Sequence, residues 1–319
     1  MERTRRPRRA RIVSVMTNGY AAPVLRWYAA NARDLPWRRP GTSPWSVLVS
    51  EIMLQQTPVA RVLPAYAAWL ARWPTPPSLA AATPGDAVRQ WGRLGYPRRA
   101  LWLHAAARIL TAEHAGQVPA SVQALRELPG VGGYTAAAVA SFAFGQRHAV
   151  LDTNVRRVLA RLVQGVEFPP RSTSAAEVAL AESLLPAPPA RAARWSVAVM
   201  ELGALVCTAA SPDCAGCPVA RQCVWRRAGS PSAAARPAAQ PRYEGSDREC
   251  RGRLLGVLRE AAGPVPAARL DAAWPDRAQR ARALAALVAD GLAEPLDPGT
   301  YALPGAPVQQ LTDVPEGPF

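Results

Sequence analysis

Apolar residues recur every three or four positions along the chain up to about residue 226, and strictly alternating runs are lacking there. That spacing is typical of helices that pack one face on a core. The clearest stretch is Leu125–Leu162. It predicts a short helix, a tight turn at Leu128–Gly132, an Ala-rich helix that opens at Gly133 or Tyr134, and a further helix at Val155–Leu162. We therefore expect an all-α fold for this region.

The pattern changes after residue 226. Residues 227–245 are rich in Pro, Ala and Ser, a composition that is typical of a linker. Residues 246–305 predict three helices and a β-hairpin, which together would form a small winged-helix-like module. The predicted elements are Arg248–Ala261, Ala267–Ala273, Ala278–Gly291 and the hairpin Leu292–Leu303. We expect residues 306–319 to be a disordered tail.

The chain of 319 residues carries a net charge of +15, and all 38 of its basic residues are arginine. Such a balance favours a polyanionic partner, and nucleic acid before a membrane surface. Residues 1–16 predict a basic disordered tail. Arg277, Arg280 and Arg282 lie on the third helix of the C-terminal module, where they would face either a DNA backbone or solvent. No apolar run reaches the ~18 residues of a membrane span, so we expect a soluble cytoplasmic protein with no membrane partner.

Two glycines of the tight turn, Gly130 and Gly132, stand just before the Ala-rich helix. Glycine permits positive φ and leaves backbone N–H groups uncovered, and the N-terminus of a helix favours negative charge. The turn is therefore a candidate phosphate site of the helix-hairpin-helix kind. An ordinary corner between two packed helices is the alternative.

Two carboxyl groups are candidates for acid and anion roles. Glu51 lies on the predicted helix Trp45–Gln56 with apolar residues one turn before and after it, so burial would raise its pKa. Asp152 directly precedes a helix, where backbone amides and the helix dipole would keep it ionised. The alternative for Glu51 is a place on the exposed edge of its helix.

Tyr96 belongs to a glycine-flanked loop and is followed closely by Arg98 and Arg99. An aromatic side chain on such a loop could enter a stack of bases, as apolar wedges do in bent DNA. It could equally pack on its own neighbours, and the sequence leaves both possibilities open.

Four of the five cysteines cluster in the pattern C-x6-C-x2-C-x5-C. A disulfide framework is not expected from this clustering, and Cys250 stands alone. Structural zinc prefers paired C-x2-C units, whereas this uneven spacing suits the four corners of a [4Fe–4S] cube. The expected ligands are Cys207, Cys214, Cys217 and Cys223.

Several of these segments together resemble one family. SEIMLQQT, GRLGY, LPGVGGYTAAAVASFAFG, VLDTNVRRVLARL, MELGALVC and the cysteine pattern are similar to adenine DNA glycosylases of the MutY type, in the iron–sulfur branch of the helix-hairpin-helix DNA glycosylases. The resemblance covers about residues 17–226. It implies an all-α, two-lobed fold: a six-helix barrel at residues 39–144 carries the hairpin, and residues 17–38 with 145–226 form an iron–sulfur lobe.

The resemblance also implies roles for individual residues. In the reaction centre, Glu51 would be the acid, Asp152 the second carboxylate, and Tyr134 and Asn154 their companions. The base opposite adenine would meet Gln56, Thr57 and Tyr96. The adenine pocket would be lined by Arg33, Leu35 and Trp37. Gly130 and Gly132 would hold a phosphate.

The implied function is base excision repair. The protein would flip out adenine mispaired with 8-oxoguanine or guanine in double-stranded DNA and remove it by hydrolysis, as a monofunctional enzyme that works as a monomer near the bacterial nucleoid. Cleavage of a glycosidic bond needs a proton for the leaving base and a negative charge beside the oxocarbenium-like sugar, which suits Glu51 and Asp152. Many members of the family carry a Nudix-like domain after the linker, and the helical module replaces it here.

Two other functions fit parts of the pattern. A glycosylase and lyase similar to endonuclease III would need a hairpin lysine where this chain has Tyr134, and the chain contains no lysine. A non-catalytic iron–sulfur protein that binds DNA through the C-terminal module would account for the cysteines and the charge. It would leave the pair Glu51 and Asp152 unexplained.

Overall fold

A computed structural model describes residues 8–233, 242–297 and 299–305. The chain divides into two compact units. Among the described residues, the first unit comprises 8–51, 118–127 and 131–233, and the second comprises 52–117, 128–130, 242–297 and 299–305. Residues 39–51, 118–127 and 131–144, expected in the barrel, thus group with the cysteine segment. The lobe boundaries implied by the resemblance stay a prediction.

The helices confirm the expectation of an all-α fold for the larger part of the chain. Up to residue 227 they are α1 (Arg8–Asn31), α2 (Pro44–Leu54), α3 (Val59–Arg72), α4 (Pro76–Ala80), α5 (Pro84–Trp91), α6 (Arg98–Glu113), α7 (Val122–Glu127), α8 (Gly133–Phe144), α9 (Thr153–Leu159), α10 (Ala175–Leu184), α11 (Pro189–Leu205) and α12 (Val224–Arg227). None of the helices in the described part of the chain has the length and apolar character of a membrane-spanning helix.

Helix α1 is longer than the sequence predicts. The structure begins it at Arg8 and carries it through Pro23, so the expectation of disorder was wrong for residues 8–16. Arginine and alanine are strong helix formers, and each residue added to an existing helix gains a hydrogen bond. Residues 1–7, the rest of the predicted tail, lie outside the described residues.

The core of the first unit is apolar side chains from α1, α9, α10 and α11. Val24, Val158, Trp195 and Leu202 are among its buried members. Helix α9 continues into a π-helical turn at Ala160–Gln164, which Gly165 ends with a φ of +77°. A π-turn inside a helix is frequent at functional sites, and this one directs the buried Arg161 toward the cysteine segment.

In the second unit, α3 and α5 pack around three tryptophans. The ring of Trp69 lies edge-on to those of Trp73 and Trp91, with centroids 4.7 and 5.6 Å away. Two proline-containing segments begin helices here. Thr75 and Thr83 form capping boxes, each followed by a proline at the first helical position.

The C-terminal module also belongs to the second unit. Its helices are α13 (Asp247–Glu260), α14 (Ala267–Asp271) and α15 (Arg277–Ala289), and its strands are β1 (Val265–Pro266), β2 (Glu294–Pro295) and β3 (Thr300–Ala302). The predicted hairpin is present as β2 and β3, and β1 joins it to give an antiparallel sheet in the order β1-β3-β2. Strand β1 is too short to show alternation in the sequence. Residues 234–241 of the predicted linker and the tail from 306 lie outside the described residues.

Candidate active site and cysteine cavity

Glu51 lies on α2 among apolar neighbours, and only 5% of its surface is exposed. Leu48 and Ile52, one turn before it and next to it, are fully buried. The Tyr134 hydroxyl, from the first turn of α8, donates a hydrogen bond of 3.1 Å to Oε2 of Glu51. The alternative of an exposed helix edge is therefore wrong for Glu51.

Burial raises the pKa of Glu51 to about 7, because the charged form loses its hydration. The hydrogen bond from Tyr134 and the charge of Arg38 lower this pKa, and the charge of Asp152 raises it. The pKa of the Tyr134 phenol is itself raised by burial and by both carboxyl groups. At neutral pH Glu51 is thus poised between its acid and its carboxylate.

Asp152 is the N-cap of α9, as predicted. Its Oδ1 accepts the N–H of Val155 at 2.6 Å, and its Oδ2 accepts Nδ2 of Asn154 at 2.9 Å. From the sequence, the amides and the dipole at this helix start are expected to keep Asp152 ionised. Burial raises the pKa of Asp152, and the hydrogen bonds and the charge of Arg157 oppose that rise without cancelling it.

Asn154 is held in turn by Arg157, a buried residue one turn later on α9. Nη2 of Arg157 donates to Oδ1 of Asn154 and to the carbonyl of Gly203, both at 2.7 Å. Its Nε donates to the carbonyl of Cys207 at 2.7 Å. A Cβ at position 203 would lie 2.7 Å from Cβ of Asn154, so this close approach requires glycine. Arg157 is not predicted from the sequence, although its spacing from Asn154 puts both on one helix face.

The side chains expected to line the adenine pocket surround a buried carboxylate that the sequence analysis also missed. Glu201 on α11 is fully buried and accepts a fork from Arg33, with Nε–Oε1 at 2.7 Å and Nη2–Oε2 at 2.8 Å. Nη1 of Arg38 reaches Oε2 at 2.7 Å. Leu35 and Trp37 are buried nearby along the chain. The sequence signal for Glu201 is its position as a charged residue within the apolar run of α11.

Burial by itself would raise the pKa of Glu201. The hydrogen bonds of Arg33 and the charge of Arg38 outweigh that effect and hold the pKa at about 2. Glu201 is therefore ionised at neutral pH, and it fixes the position of both guanidinium groups.

Three other candidate residues lie in the second unit. Gln56 and Tyr96 are exposed, and both have positive φ, at 54° and 47°. Thr57 is buried, and its hydroxyl accepts Nη2 of Arg99 at 2.9 Å. Gln56 and Tyr96 are thus accessible to a partner, whereas the Thr57 hydroxyl is engaged within the protein.

The two glycines of the hairpin turn differ in conformation. Gly130 has a φ of +77°, and a Cβ there would lie 2.9 Å from Cβ of Trp102. Gly132 is the N-cap of α8 with a φ of −83°, and nothing lies within 4 Å of the place of its Cβ. The protein itself therefore requires glycine at 130. At 132 glycine keeps the helix N-terminus open.

The four clustered cysteines line one cavity in the first unit, together with Arg161, Trp225 and Arg226. Nη1 of Arg161 lies 3.4 Å from Sγ of Cys207, and its other donors go to the carbonyls of Glu167, Thr208 and Ala209. Burial and the neighbouring sulfurs raise the pKa of Cys217 to about 11. In the part of the chain that the structure describes, no group of His, Cys, Asp and Glu side chains is placed to hold a single metal ion.

Comparison with known proteins places this geometry in a family. Residues 49–181 match the model of the HhH-GPD superfamily base excision DNA repair proteins. The adenine DNA glycosylase of Mycolicibacterium smegmatis is 51% identical over 283 residues, which cover 88% of this chain and 95% of the relative. The human adenine DNA glycosylase is 42% identical over 65% of this chain and 39% of its own.

The fold agrees with solved structures. A thermostable thymine-DNA glycosylase matches with a TM-score of 0.61 and 27% identity, over 67% of this chain and 98% of that one. An endonuclease III structure matches with a TM-score of 0.57 at 23% identity, over 69% of this chain and 97% of that one, and supports the fold alone. On the strength of the mycobacterial relative above all, the chain belongs to the adenine DNA glycosylase family of the HhH-GPD superfamily.

Proposed function

We propose that the protein removes adenine that is mispaired with 8-oxoguanine or guanine in double-stranded DNA, by hydrolysis of the N-glycosidic bond and without cutting the strand. The observation that carries this proposal is the hydrogen-bonded pair of Glu51 and Tyr134, in which burial brings a carboxyl pKa close to 7. Adenine is a poor leaving group until it is protonated. A buried acid with a pKa near the working pH is suited to that proton transfer.

Glu51 would donate its proton to the departing base. Burial keeps a large fraction of this group protonated near pH 7, and Tyr134 fixes its orientation through Oε2. Tyr134 stands where a lyase would need an amine nucleophile, and its raised pKa keeps it a phenol and a hydrogen-bond donor. This supports a monofunctional reaction.

Asp152 would stabilise the positive charge that develops on the sugar. Val155 and Asn154 donate to its two oxygens, which fixes the carboxylate in one orientation. A negative charge that is fixed before the reaction needs no reorganisation when the sugar becomes cationic. Arg157 keeps Asn154 in the donor orientation from the opposite side.

The flipped adenine would enter a pocket formed by Arg33, Leu35 and Trp37. Glu201 supports this assignment, because it holds the guanidinium of Arg33 with a two-point ion pair. The apolar residues Leu35 and Trp37 suit the faces of a purine, and a fixed guanidinium suits its ring nitrogens. Thymine and cytosine present a smaller ring, which such a pocket would leave loosely packed.

On the opposite strand, we assign Gln56 and Tyr96 to the mispaired base and to the gap that the flipped base leaves. Both side chains are exposed, and Tyr96 is aromatic, as a stacking partner should be. For Thr57 we propose support of this segment through Arg99 rather than direct contact. The amides near Gly130 and Gly132 would bind a phosphate of the backbone.

The cysteine cavity fits a [4Fe–4S] cluster. Cys207, Cys214, Cys217 and Cys223 surround the cavity, and the guanidinium groups of Arg161 and Arg226 would offset the charge of four thiolates. Such a cluster would link the two ends of the segment Cys207–Cys223 to each other, beside the π-helical turn that carries Arg161. Analysis of anaerobically purified protein should find about four iron and four sulfide per chain. Stoichiometric zinc without sulfide would contradict the assignment.

The reaction is tested with a duplex that contains adenine opposite 8-oxoguanine. The proposed enzyme releases adenine, and the strand breaks only after alkali treatment. Strand scission before alkali would indicate a lyase, and binding without adenine release would indicate a non-catalytic DNA-binding protein. Single-turnover rates on the duplexes with 8-oxoguanine and with guanine measure the preference. Gel filtration of the purified chain checks the expected monomer.

A further inference from the structure

The loop between α5 and α6 carries Tyr96 in a strained conformation. Half of the surface of Tyr96 is exposed, and its φ of 47° is rare for a residue with a side chain. Gly92 and Gly95, the neighbouring glycines, also have positive φ. Such a conformation persists only where the surrounding structure holds it.

Arg99 holds this loop from the inside. It is 2% exposed, and its Nη2 donates to the carbonyl of Gly95 at 3.0 Å and to the Thr57 hydroxyl at 2.9 Å. Its Nη1 donates to two of the last carbonyls of α2, those of Ile52 and Met53, and at 2.6 Å to the carbonyl of Gln55, which directly follows the helix. One guanidinium thereby joins the segment of Tyr96 to the segment of Gln56.

The C-terminal module holds the helix before the loop. Nε of Arg259, on α13, donates to the carbonyl of Val88 on α5 at 3.0 Å. Arg89 of α5 donates back to the carbonyls of Arg259 and Ala261. The N–H of Gly85 donates to the carbonyl of Pro304 at 2.7 Å.

The same module holds the helix after the loop. Arg98 lies in the first turn of α6, two residues after Tyr96. It forms an ion pair with Asp290 at 3.1 Å. Asp290 also pairs with Arg251 of α13. The module is therefore attached to both helices that flank the loop.

The charges of the module do not favour a DNA-binding surface. Residues 242–305 contain equal numbers of basic and acidic residues, although the whole chain carries +15. On α15, Arg280 donates to Asp271 and to the carbonyl of Trp274, and Arg282 lies 3.6 Å from Asp247. Two of the three arginines that could have faced a DNA backbone thus pair within the module.

We propose that the C-terminal module is a brace that positions Tyr96 for the DNA duplex by fixing both helices that flank its loop. This proposal rests on the proposed function, since it takes Tyr96 to contact the strand opposite adenine. Asp290 and Gly85 are positioning residues that act through Tyr96. The alternative, in which the module itself contacts DNA phosphates, makes opposite predictions.

The brace is tested in the full-length protein with Asp290→Asn and Gly85→Ala. Asparagine keeps the shape of Asp290 and removes the charge that Arg98 and Arg251 share. A Cβ at position 85 would lie 2.7 Å from the carbonyl oxygen of Pro304, so alanine displaces that contact. Gly263→Ala is the matched control, because nothing lies within 4 Å of its Cβ position.

Binding is measured on a duplex that carries a non-hydrolysable adenine analogue opposite 8-oxoguanine, with 2-aminopurine next to the lesion. The fluorescence of 2-aminopurine rises when a side chain disturbs the stack. We expect wild type and Gly263→Ala to give the full rise. Asp290→Asn should give a smaller rise and up to roughly fivefold weaker binding, the upper end for an ion pair with an exposed partner. Gly85→Ala should change both quantities in the same direction.

A double-variant cycle decides between the two roles of the module. In the Tyr96→Ala background, Asp290→Asn should add nothing to the loss of affinity, because the brace acts through that side chain. Additive losses with a reduced salt dependence would indicate phosphate contacts and overturn the proposal. An unchanged 2-aminopurine response in folded Asp290→Asn would overturn it too. If Gly85→Ala fails to fold, the Asp290 cycle decides alone.

A failure of the proposed function can be distinguished from a failure of the brace. Wild-type protein that binds the duplex but releases no adenine from a normal substrate refutes the glycosylase assignment and leaves the fluorescence cycle valid. Equal fluorescence and affinity for wild type and Tyr96→Ala would show that Tyr96 does not contact the duplex, and the brace would be rejected.

Discussion

Glu51 and Asp152 lie in two regions that surround a carboxyl group with different neighbours. On α2, Glu51 lies among apolar side chains and accepts one hydrogen bond from a neutral phenol. At the start of α9, Asp152 accepts a backbone N–H and a side-chain amide, with Arg157 close enough to act through its charge. Burial raises the pKa of both groups.

The difference therefore lies in the donors and not in burial. Each N–H that points at a carboxylate stabilises the ionised form, and a buried cation does the same. Asp152 has several such groups and Glu51 has few, so the two carboxyl groups are suited to anion and acid roles.

Glu51→Gln keeps the shape of the side chain and removes the transferable proton. We expect the single-turnover rate of adenine release to fall by roughly 10²–10⁴-fold, the usual contribution of a general acid. Affinity for the lesion duplex should stay near that of wild type. A variant that kept more than about a tenth of the wild-type rate would rule out Glu51 as the acid.

Asp152→Asn should reduce the rate by roughly 10²–10³-fold, because the developing cation loses its fixed counter-charge. The two carboxylate oxygens of Asp152 accept hydrogen bonds from Val155 and Asn154. The substitution also replaces one of these oxygens with an NH2 group, which donates instead of accepting. The pH dependence separates this variant from the previous one. The remaining activity of Asp152→Asn should still decline as pH rises through about 7, because Glu51 is intact. A residual rate that does not depend on pH would mean that the decline of the wild-type rate comes from the titration of Asp152.

In Glu51→Gln, the free energy of unfolding at high pH should rise although the rate of adenine release falls. The folded pKa of Glu51, about 7, lies above its ordinary value of 4.5, so between these values the folded state binds more protons than the unfolded state. The free energy of unfolding of wild type therefore falls as pH rises through that window. Glu51→Gln escapes this loss, and above pH 7 it should be more stable than wild type by about 3 kcal/mol.

The measurement is urea unfolding of wild type and Glu51→Gln at pH 4.5 and at pH 8. The two proteins should differ little at the lower pH. Glu113→Gln, at an exposed position, is the matched control and should show no such divergence. Equal stability of wild type and Glu51→Gln at pH 8 would mean that burial does not disfavour the carboxylate.

Tyr134→Phe should have the smallest effect. It removes the hydroxyl donor and keeps the ring, and a neutral hydrogen bond is worth about 1 kcal/mol, which corresponds to roughly fivefold in rate. Because this hydrogen bond lowers the pKa of Glu51, its loss should move the alkaline limb of the pH–rate profile to higher pH. A shift to lower pH would contradict the donor role of Tyr134.

The parts of the site that the sequence predicts correctly are those with a local signal. Asp152 is recognised as an N-cap from its position before a helix, and the grouping of the four cysteines around one cavity is recognised from their spacing. The buried Glu201 could not be placed in this way, since its partners Arg33 and Arg38 lie more than 160 residues away. The direction of the pKa shift of Asp152 was missed for the same reason, because its burial depends on elements distant in sequence.

The hydrogen bonds of Arg99, Arg161 and Arg259 bear on which substitutions their surroundings tolerate. Most of their hydrogen bonds go to main-chain carbonyls. A carbonyl is present whatever side chain its residue carries, so substitutions around these arginines leave their acceptors in place. Arg99 and Arg161 themselves cannot be replaced by lysine, since an ammonium group cannot reach the several carbonyls to which each guanidinium donates. Sequence drift around these three positions is thus tolerated as long as the backbone path is kept.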